Sequence, residues 1–305
     1  MAMNRALFRR QLQEGLNAVT GHEYRKYTEQ WPRCFPTVET SGKAFEEDVL
    51  SIGFGGAQVK PEGAGVAYDT GAESYVSRYH HDTIALAFSI TQEAVDDGLY
   101  GKLGPRYARE LIRALMHTKE IRHAAIFNNG FSASYPGGDG VPLFSVSHPM
   151  WGGGVLANRP AVPTDLSETS LENAFIDLAG FVDDRGIPVV ITAQSLAIPR
   201  QLQFEAERII NTTLRPGTAD NDINAQKSLG MLPKGAHVNQ RFTDPDAWFL
   251  ITDCPHGMKH IKRQAVRRGI EGDFETGNMR YKVSERYSQG WTNFRGAWGN
   301  PGGGS

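Results

Sequence analysis

Leu7, Phe8, Leu12, Leu16 and Val19 recur at helical spacing between charged and amide residues, which predicts an amphipathic helix at the start of the chain. Trp31-Pro32, Phe35-Pro36 and a polar run from Thr37 to Lys43 follow. This opening segment has one apolar stripe and no partner of its own, so it is expected to be covered by another element or another subunit. The period then changes from helix to strand. Ile84, Leu86, Phe88 and Ile90 alternate with Ala85, Ala87 and Ser89, predicting a strand with one buried face. Just upstream, "SIGFGGAQVKPEGAGVAYDTGAESYVSRYHHD" consists of short strand pieces broken by Gly and Pro. It reads as a long hairpin or extended loop of roughly 35 residues, a length uncommon inside compact domains.

The strongest periodic element is "GPRYARELIRALMHTKEIRHAAIFNNG". Pro105 suits a first helical turn and Asn129-Gly130 a C-terminal stop, so a helix over about 105–127, roughly 35 Å long, is expected. Its apolar row is read as Tyr107, Leu111, Leu115 and Thr118, flanked by Ala114, Ile121 and Ala125. A second helix begins after Ser167 or Ser170 and carries Leu171, Phe175, Leu178 and Phe181, with Gly186 as its stop. "IPVVITA", Ile187 to Ala193, is expected to be a buried strand, and Pro199 to open another helix. Residues 215–245 are turn-rich. "AWFLIT" (247–252) and the alternation of Met279, Tyr281, Val283 and Tyr287 with Arg280, Lys282, Ser284 and Arg286 are strand patterns, and Trp291, Phe294 and Trp298 close the chain as aromatic anchors. The sum is an α+β chain with an arm, a projecting hairpin and one long helix.

Composition narrows what such a chain can do. Its 305 residues are 40% hydrophobic and 22% charged, with formal net charge −2, a globular balance without a global polycation. The 34 glycines cluster at 53–56, 137–140 and 152–154, which implies long shaped loops. Cys34 and Cys254 are too few and too distant for a disulfide framework. Neither a membrane span nor a secretory leader is apparent, so a cytoplasmic start is expected.

The residues able to carry chemistry do not converge in sequence. Ser147-His148 offers a nucleophile and a base, but neighbours on an extended strand point apart, and no G-x-S-x-G elbow surrounds them. Cys254, His256 and His260 are zinc-type groups lacking a second cluster. His80 and His81 should face opposite sides of a strand. "GFGGA" (Gly53 to Ala57) lacks the strand-before, helix-after context of a phosphate loop. Lys259, Lys262, Arg263, Arg267 and Arg268 form the one basic run, without interleaved aromatics. No catalytic site, metal or cofactor is expected.

The order of these elements resembles the major capsid proteins of tailed bacteriophages, those with the Hong Kong 97-type (HK97-like) fold, and among them the Mu-like major head subunit group. The resemblance rests on the long helix followed by "GDGVPLFSVSHPMWGGGVLANRP", with its GDG-x-PLFS-x-x-HP loop and downstream asparagine, and on "DPDAWFLITD" and "RYKVSERYSQGWTNFRGAWGNPG". It implies an N-terminal arm (1–45), an E-loop hairpin (46–92), a P domain with its spine helix (93–164), an A domain (165–245) and return strands with a tail (246–305). It also implies self-assembly into an icosahedral head around double-stranded DNA. The expected partners are further copies in pentamers and hexamers, a scaffolding protein, a portal and the packaged DNA, with assembly in the host cytoplasm and residence in the virion. Assembly contacts are expected at Gly55, Gly56, Tyr68, Tyr75 and Tyr79, and DNA contact at the basic run. Some relatives cross-link lysine to asparagine; Lys43, Lys60 and Asn158 are present, but no motif assigns them that chemistry. The alternatives are an encapsulin-like compartment on the same fold, a hydrolase using Ser147 and His148, and a decoration or tail protein.

Overall fold

The computed structural model describes residues 5–91, 93, 100–214, 222–273 and 276–304. Helix α1 (Arg5–Lys26) leads into strands β1 (Thr37–Thr40), β2 (Phe45–Ile52), β3 (Ala72–His80) and β4 (Asp82–Ile90), then the long helix α2 (Tyr100–Asn128). A small hairpin, β5 (His148–Pro149) with β6 (Val155–Leu156), precedes α3 (Glu168–Ala179), β7 (Ala193–Ile198), α4 (Gln203–Asn211), α5 (Ala225–Leu229) and β8 (Ala236–Val238). Strands β9 (Trp248–Thr252), β10 (Met258–Gly272), β11 (Met279–Trp291) and β12 (Ala297–Asn300) complete the chain.

Two four-stranded sheets organise these elements. One has the order β1-β10-β11-β4, with β10 and β11 forming a long antiparallel ribbon; the other has the order β12-β9-β7-β8. Among the described residues, strands β2 and β3 pair only with each other, while β4 leaves the hairpin and joins β11.

Helix α2 begins at Tyr100, so Pro105 lies inside it and not at its first turn. Its buried stripe is Ala108, Leu111, Ile112, Leu115, Met116, Lys119, Glu120, His123, Ala124 and Phe127. The row expected from sequence is therefore rotated, since Tyr107, Thr118 and Ile121 are exposed. Three polar residues occupy the stripe because the chain supplies their partners. Both Glu120 carboxylate oxygens accept backbone N–H groups, from Gln30 at 2.7 Å and Trp31 at 3.1 Å. Lys119 pairs with Glu29 at 3.3 Å and Glu285 at 3.7 Å. His123 is bonded to His260 at 3.0 Å. A buried polar group is tolerated when it is satisfied in this way.

The side chains of Leu7, Phe8 and Leu12 lie outside the described residues, and from Leu16 onward the opening segment finds its cover within the same chain. Leu16 packs with Leu111, Ile112, Leu115, Tyr281 and Val283. Trp31, Cys34 and Phe35 belong to a second core with Phe127, Phe144 and Phe249. A third core joins α3, α4 and the second sheet around Trp248 and Trp298.

Two further expectations change. Ile187 to Thr192 is not a strand, and Val190 is 94% exposed. Asp183 Oδ1 accepts the Arg185 and Ile187 amides, each at 2.8 Å, and Gly186 takes φ 81°. These bonds fold 183–187 into a turn, and Pro188 has no N–H to give a ladder. The paired strand starts at Ala193, and α3 ends at Gly180, not at Gly186.

Gly296 and Gly257 pack backbone to backbone where the chain enters β12. A Cβ built on Gly296 would lie 2.4 Å from the Gly257 Cα. Neither main chain can yield, because Gly257 immediately precedes β10 and Gly296 immediately precedes β12. Gly296→Ala should destabilise the subunit by about 3 kcal/mol, read as a lowered denaturant midpoint, since overpacking a closed contact costs that much.

Candidate functional site

The glycine-rich stretch after α2 encloses a buried polar hub. His148 is fully buried, with its ring stacked on Phe294 at a centroid distance of 3.7 Å. Its Nδ1 lies 2.6 Å from Asp139 Oδ2 and its Nε2 3.0 Å from Asn158 Oδ1. The Asn158 amide orientation is fixed by its nitrogen, which donates to the carbonyls of Leu143 (2.7 Å), Phe294 (3.2 Å) and Ala297 (3.1 Å). Its oxygen must then be the atom that accepts from Ser145 N and His148 Nε2. The hub ties the loop to both ends of the turn preceding β12.

Ser147 takes no part in it. Its hydroxyl lies 3.4 Å from the Ser145 hydroxyl, and both nitrogens of His148 are engaged elsewhere. A hydrolase based on Ser147 and His148 therefore lacks its nucleophile–base contact. Asn158, fully buried, is equally removed from any cross-link with a neighbour's lysine.

The other candidate pairs are separated too. His260 faces His123 in the core, whereas His256 lies 3.2 Å from Asp48 and Cys254 bonds the Pro255 carbonyl. Among the described residues no group of three His, Cys, Asp or Glu side chains could hold a metal ion. His80 is exposed, and His81 is buried against Ser288.

The hairpin β2-β3 carries the residues expected at assembly contacts, at two different levels. Tyr75 and Tyr79 are at its root. Tyr75 donates to the Thr292 carbonyl at 2.8 Å, and Tyr79 bonds the Thr292 hydroxyl at 2.6 Å. Thr292 in turn donates to Asp48, which also receives Lys259 and His256. Burial alone would raise the Asp48 pKa, but hydrogen bonds from Lys259 and Thr292 outweigh it and hold the carboxyl below its usual range. The hydroxyls of these two tyrosines anchor the hairpin to its own subunit. Gly55, Gly56 and Tyr68 lie in the apical segment, 53–71. There Tyr68 is 98% exposed and Val59 94%, with Phe54 and Val66 also open.

Strand pairing disperses the basic run. Lys259 is buried between Asp48 and Glu39, Arg263 Nε donates to the Lys43 carbonyl at 2.8 Å, and Arg268 sits beside Gly21 of α1. Lys262 and Arg267 are exposed. What the ribbon assembles instead is a face that joins the cations alternating along β11 to one from β10. On β11, Arg280, Lys282 and Arg286 alternate with the buried Tyr281, Val283 and Tyr287, and Arg267 of β10 lies opposite Ser284 of that same face. Glu271 and Asp273 lie nearby, with Arg280 bonded to Asp273 at 2.6 Å.

Comparison with known proteins is consistent with a shell subunit. A capsid of a native GTA particle superposes with TM-score 0.55 at 14% identity, covering 89% of this chain and 90% of that one. A virus-like particle from Pyrococcus furiosus gives TM-score 0.52 at 12% identity, covering 94% and 98%. The Microbacterium phage Oxtober96 chain gives TM-score 0.50 at 11% identity, covering 90% of each. At such identities the likeness establishes the fold, which is HK97-like. No curated protein sequence matches this chain. The sequence profile of the phage capsid protein family, however, matches residues 75–300. That span holds the long helix, the polar hub, the second sheet and all of the first sheet except β1, and it favours a head shell over a protein-cargo compartment. The chain belongs to the phage capsid protein family, whose members are structural subunits of the shell.

Proposed function

We propose that copies of this chain, grouped in fives and sixes, close into an icosahedral head around double-stranded DNA. The observation that carries the reading is the apical segment of the hairpin. Phe54, Val59, Val66 and Tyr68 stand open to solvent on an element whose root is firmly bonded to the body. Exposed apolar side chains on a projecting element gain free energy when a neighbour covers them. Many such contacts per subunit add by multivalency. In this reading residues 1–45 act as the arm, 46–92 as the E-loop, 93–164 as the P domain, 165–245 as the A domain and 246–305 as the return strands. The GDG-x-PLFS-x-x-HP loop supports the finer Mu-like assignment. A scaffold and a portal assist assembly in the host cytoplasm.

Contact with DNA is sequence-independent in this reading, through phosphate neutralisation. The face bearing Arg267, Lys282 and Arg286 suits it better than the dispersed run 259–268.

Negative-stain electron microscopy of the purified full-length protein tests the proposal. Closed particles, rings of five or six, or tubes are expected, and nucleic acid inside closed particles distinguishes a head from a cargo compartment. Deleting Gly55 to Ser74 should leave a soluble subunit that cannot close shells. Normal shells from that deletion would refute the role given to the hairpin.

A further inference from the structure

The neck of the hairpin is held from outside by one side chain. Arg185 is in the turn after α3, far from the hairpin in sequence, yet its Nη1 donates to both Asp69 carboxylate oxygens at 3.3 Å. Its Nη2 donates to the Thr70 carbonyl at 2.5 Å. The guanidinium lies over the Trp151 ring, 5.5 Å from its centroid, and the arginine side chain is 18% exposed. Asp69 joins the two sides of the neck, since its Oδ2 accepts the Gly55 amide at 2.6 Å and its Oδ1 the Thr70 amide at 2.8 Å. Gly55 is closely packed here, because a Cβ on it would meet Asp69 Oδ2 at 3.2 Å. The turn presenting Arg185 is itself rigid: Asp183 binds its amide, and the Gly152 amide donates to the Asp184 carbonyl at 3.1 Å.

We infer that Arg185 is a positioning residue for assembly, a strut that fixes the direction of the hairpin so that its apical segment meets a second copy of this chain already oriented. The inference rests on the shell reading above. Its physical basis is pre-organisation. A long apical loop without pairing loses conformational freedom when it docks, and a brace applied beforehand reduces that loss. The planar fork of arginine suits the role, because it grips a carboxylate and a carbonyl at once while stacking on an indole, which an ammonium cannot do.

The test compares full-length wild type with Arg185→Ala and Arg185→Lys. Hydrogen exchange of the Gly55 and Thr70 amides, which Asp69 holds, should speed up about tenfold in Arg185→Ala, as for loss of a local closing contact. The global unfolding midpoint should stay unchanged, and most closed shells should be lost. Arg185→Lys should resemble the alanine variant, whereas Asp69→Asn, which has one oxygen where two accept the Gly55 and Thr70 amides, should speed exchange even with Arg185 present. Unchanged exchange at 53–71 with normal shells would overturn the strut. So would a fall in the global midpoint that accounts for the loss of shells. If wild type alone forms no particles, the exchange comparison still decides whether Arg185 braces the neck.

Discussion

Asn158→Ala should unfold the subunit or lower its stability by about 4 kcal/mol or more, read from a denaturant titration. The amide nitrogen donates to three carbonyls and the oxygen accepts from Ser145 N and His148 Nε2. Alanine removes all five bonds; the Phe294 carbonyl keeps the Ala297 amide, but the Leu143 carbonyl, the Ser145 amide and His148 Nε2 lose the partner that Asn158 gave them. Each unsatisfied buried group costs about 1–3 kcal/mol, and a typical domain has only about 5–15 kcal/mol in total. Asn158→Asp is the sharper comparison. It is nearly isosteric and keeps an oxygen toward His148, but it turns a second oxygen toward three carbonyl oxygens. It should be at least as damaging as alanine. If aspartate were tolerated, the assignment of the amide nitrogen would be wrong.

Acidification should weaken the subunit through the histidines under α2. Burial, together with neighbouring positive charge, depresses both His123 and His260 to about 3. His123 Nδ1 donates to the Lys119 carbonyl, so its Nε2 must accept from His260 Nδ1. Trp31 and Tyr287 cover the pair on its ring faces, and the charges of Lys119, Arg122 and Lys262 act on it, with Glu29 and Glu285 paired to Lys119. Both imidazoles are therefore neutral in the folded subunit, whereas each takes up a proton near pH 6.5 when unfolded. A folded pKa below the unfolded one means that stability is complete above about 6.5 and falls as pH drops toward 3, because the unfolded chain binds more protons. The slope is about 1.4 kcal/mol per pH unit for each histidine. Unfolding titrations at pH 7.5, 6 and 5 should show the decline. His260→Asn retains a donor toward His123 and should remove one histidine's share of the slope. A variant slope equal to that of wild type would contradict the neutral pair. Since Trp31 lies against both rings, the root of the opening segment should be among the first regions to loosen.

The elements governed by local chemistry were readable before folding. The Ser167 cap of α3, the alternation along β11, the burial of 248–252 and the existence of the long helix all follow from short-range periodicity. The buried face of that helix was not readable, because Lys119, Glu120 and His123 look like solvent-facing residues until Gln30, Trp31, Glu285 and His260 arrive from elsewhere in the chain. The strand expected at 187–193 forms only from Ala193 for a related reason: its apolar run suggested burial, but the Asp183 side chain and Pro188 commit the start of it to a turn.

The loop after the long helix divides the two kinds of information most clearly. Its order of residues, with Asp139, His148 and Asn158 at fixed places, was visible and carried the family resemblance. That these three form one hydrogen-bonded hub, and not a catalytic pair with Ser147, depended on the chain folding back across 13 to 139 residues to reach Ser145, Phe294 and Ala297. The basic run 259–268 came apart for the same reason, as alternation and cross-strand pairing sent its members to different faces. Sequence by itself determined the strongly periodic elements and the membership in the shell family, because each depends on neighbours along the chain. Tertiary structure alone decided which polar groups are buried, which cations share a face and what holds the hairpin, because those depend on partners that only long-range pairing brings within hydrogen-bond distance.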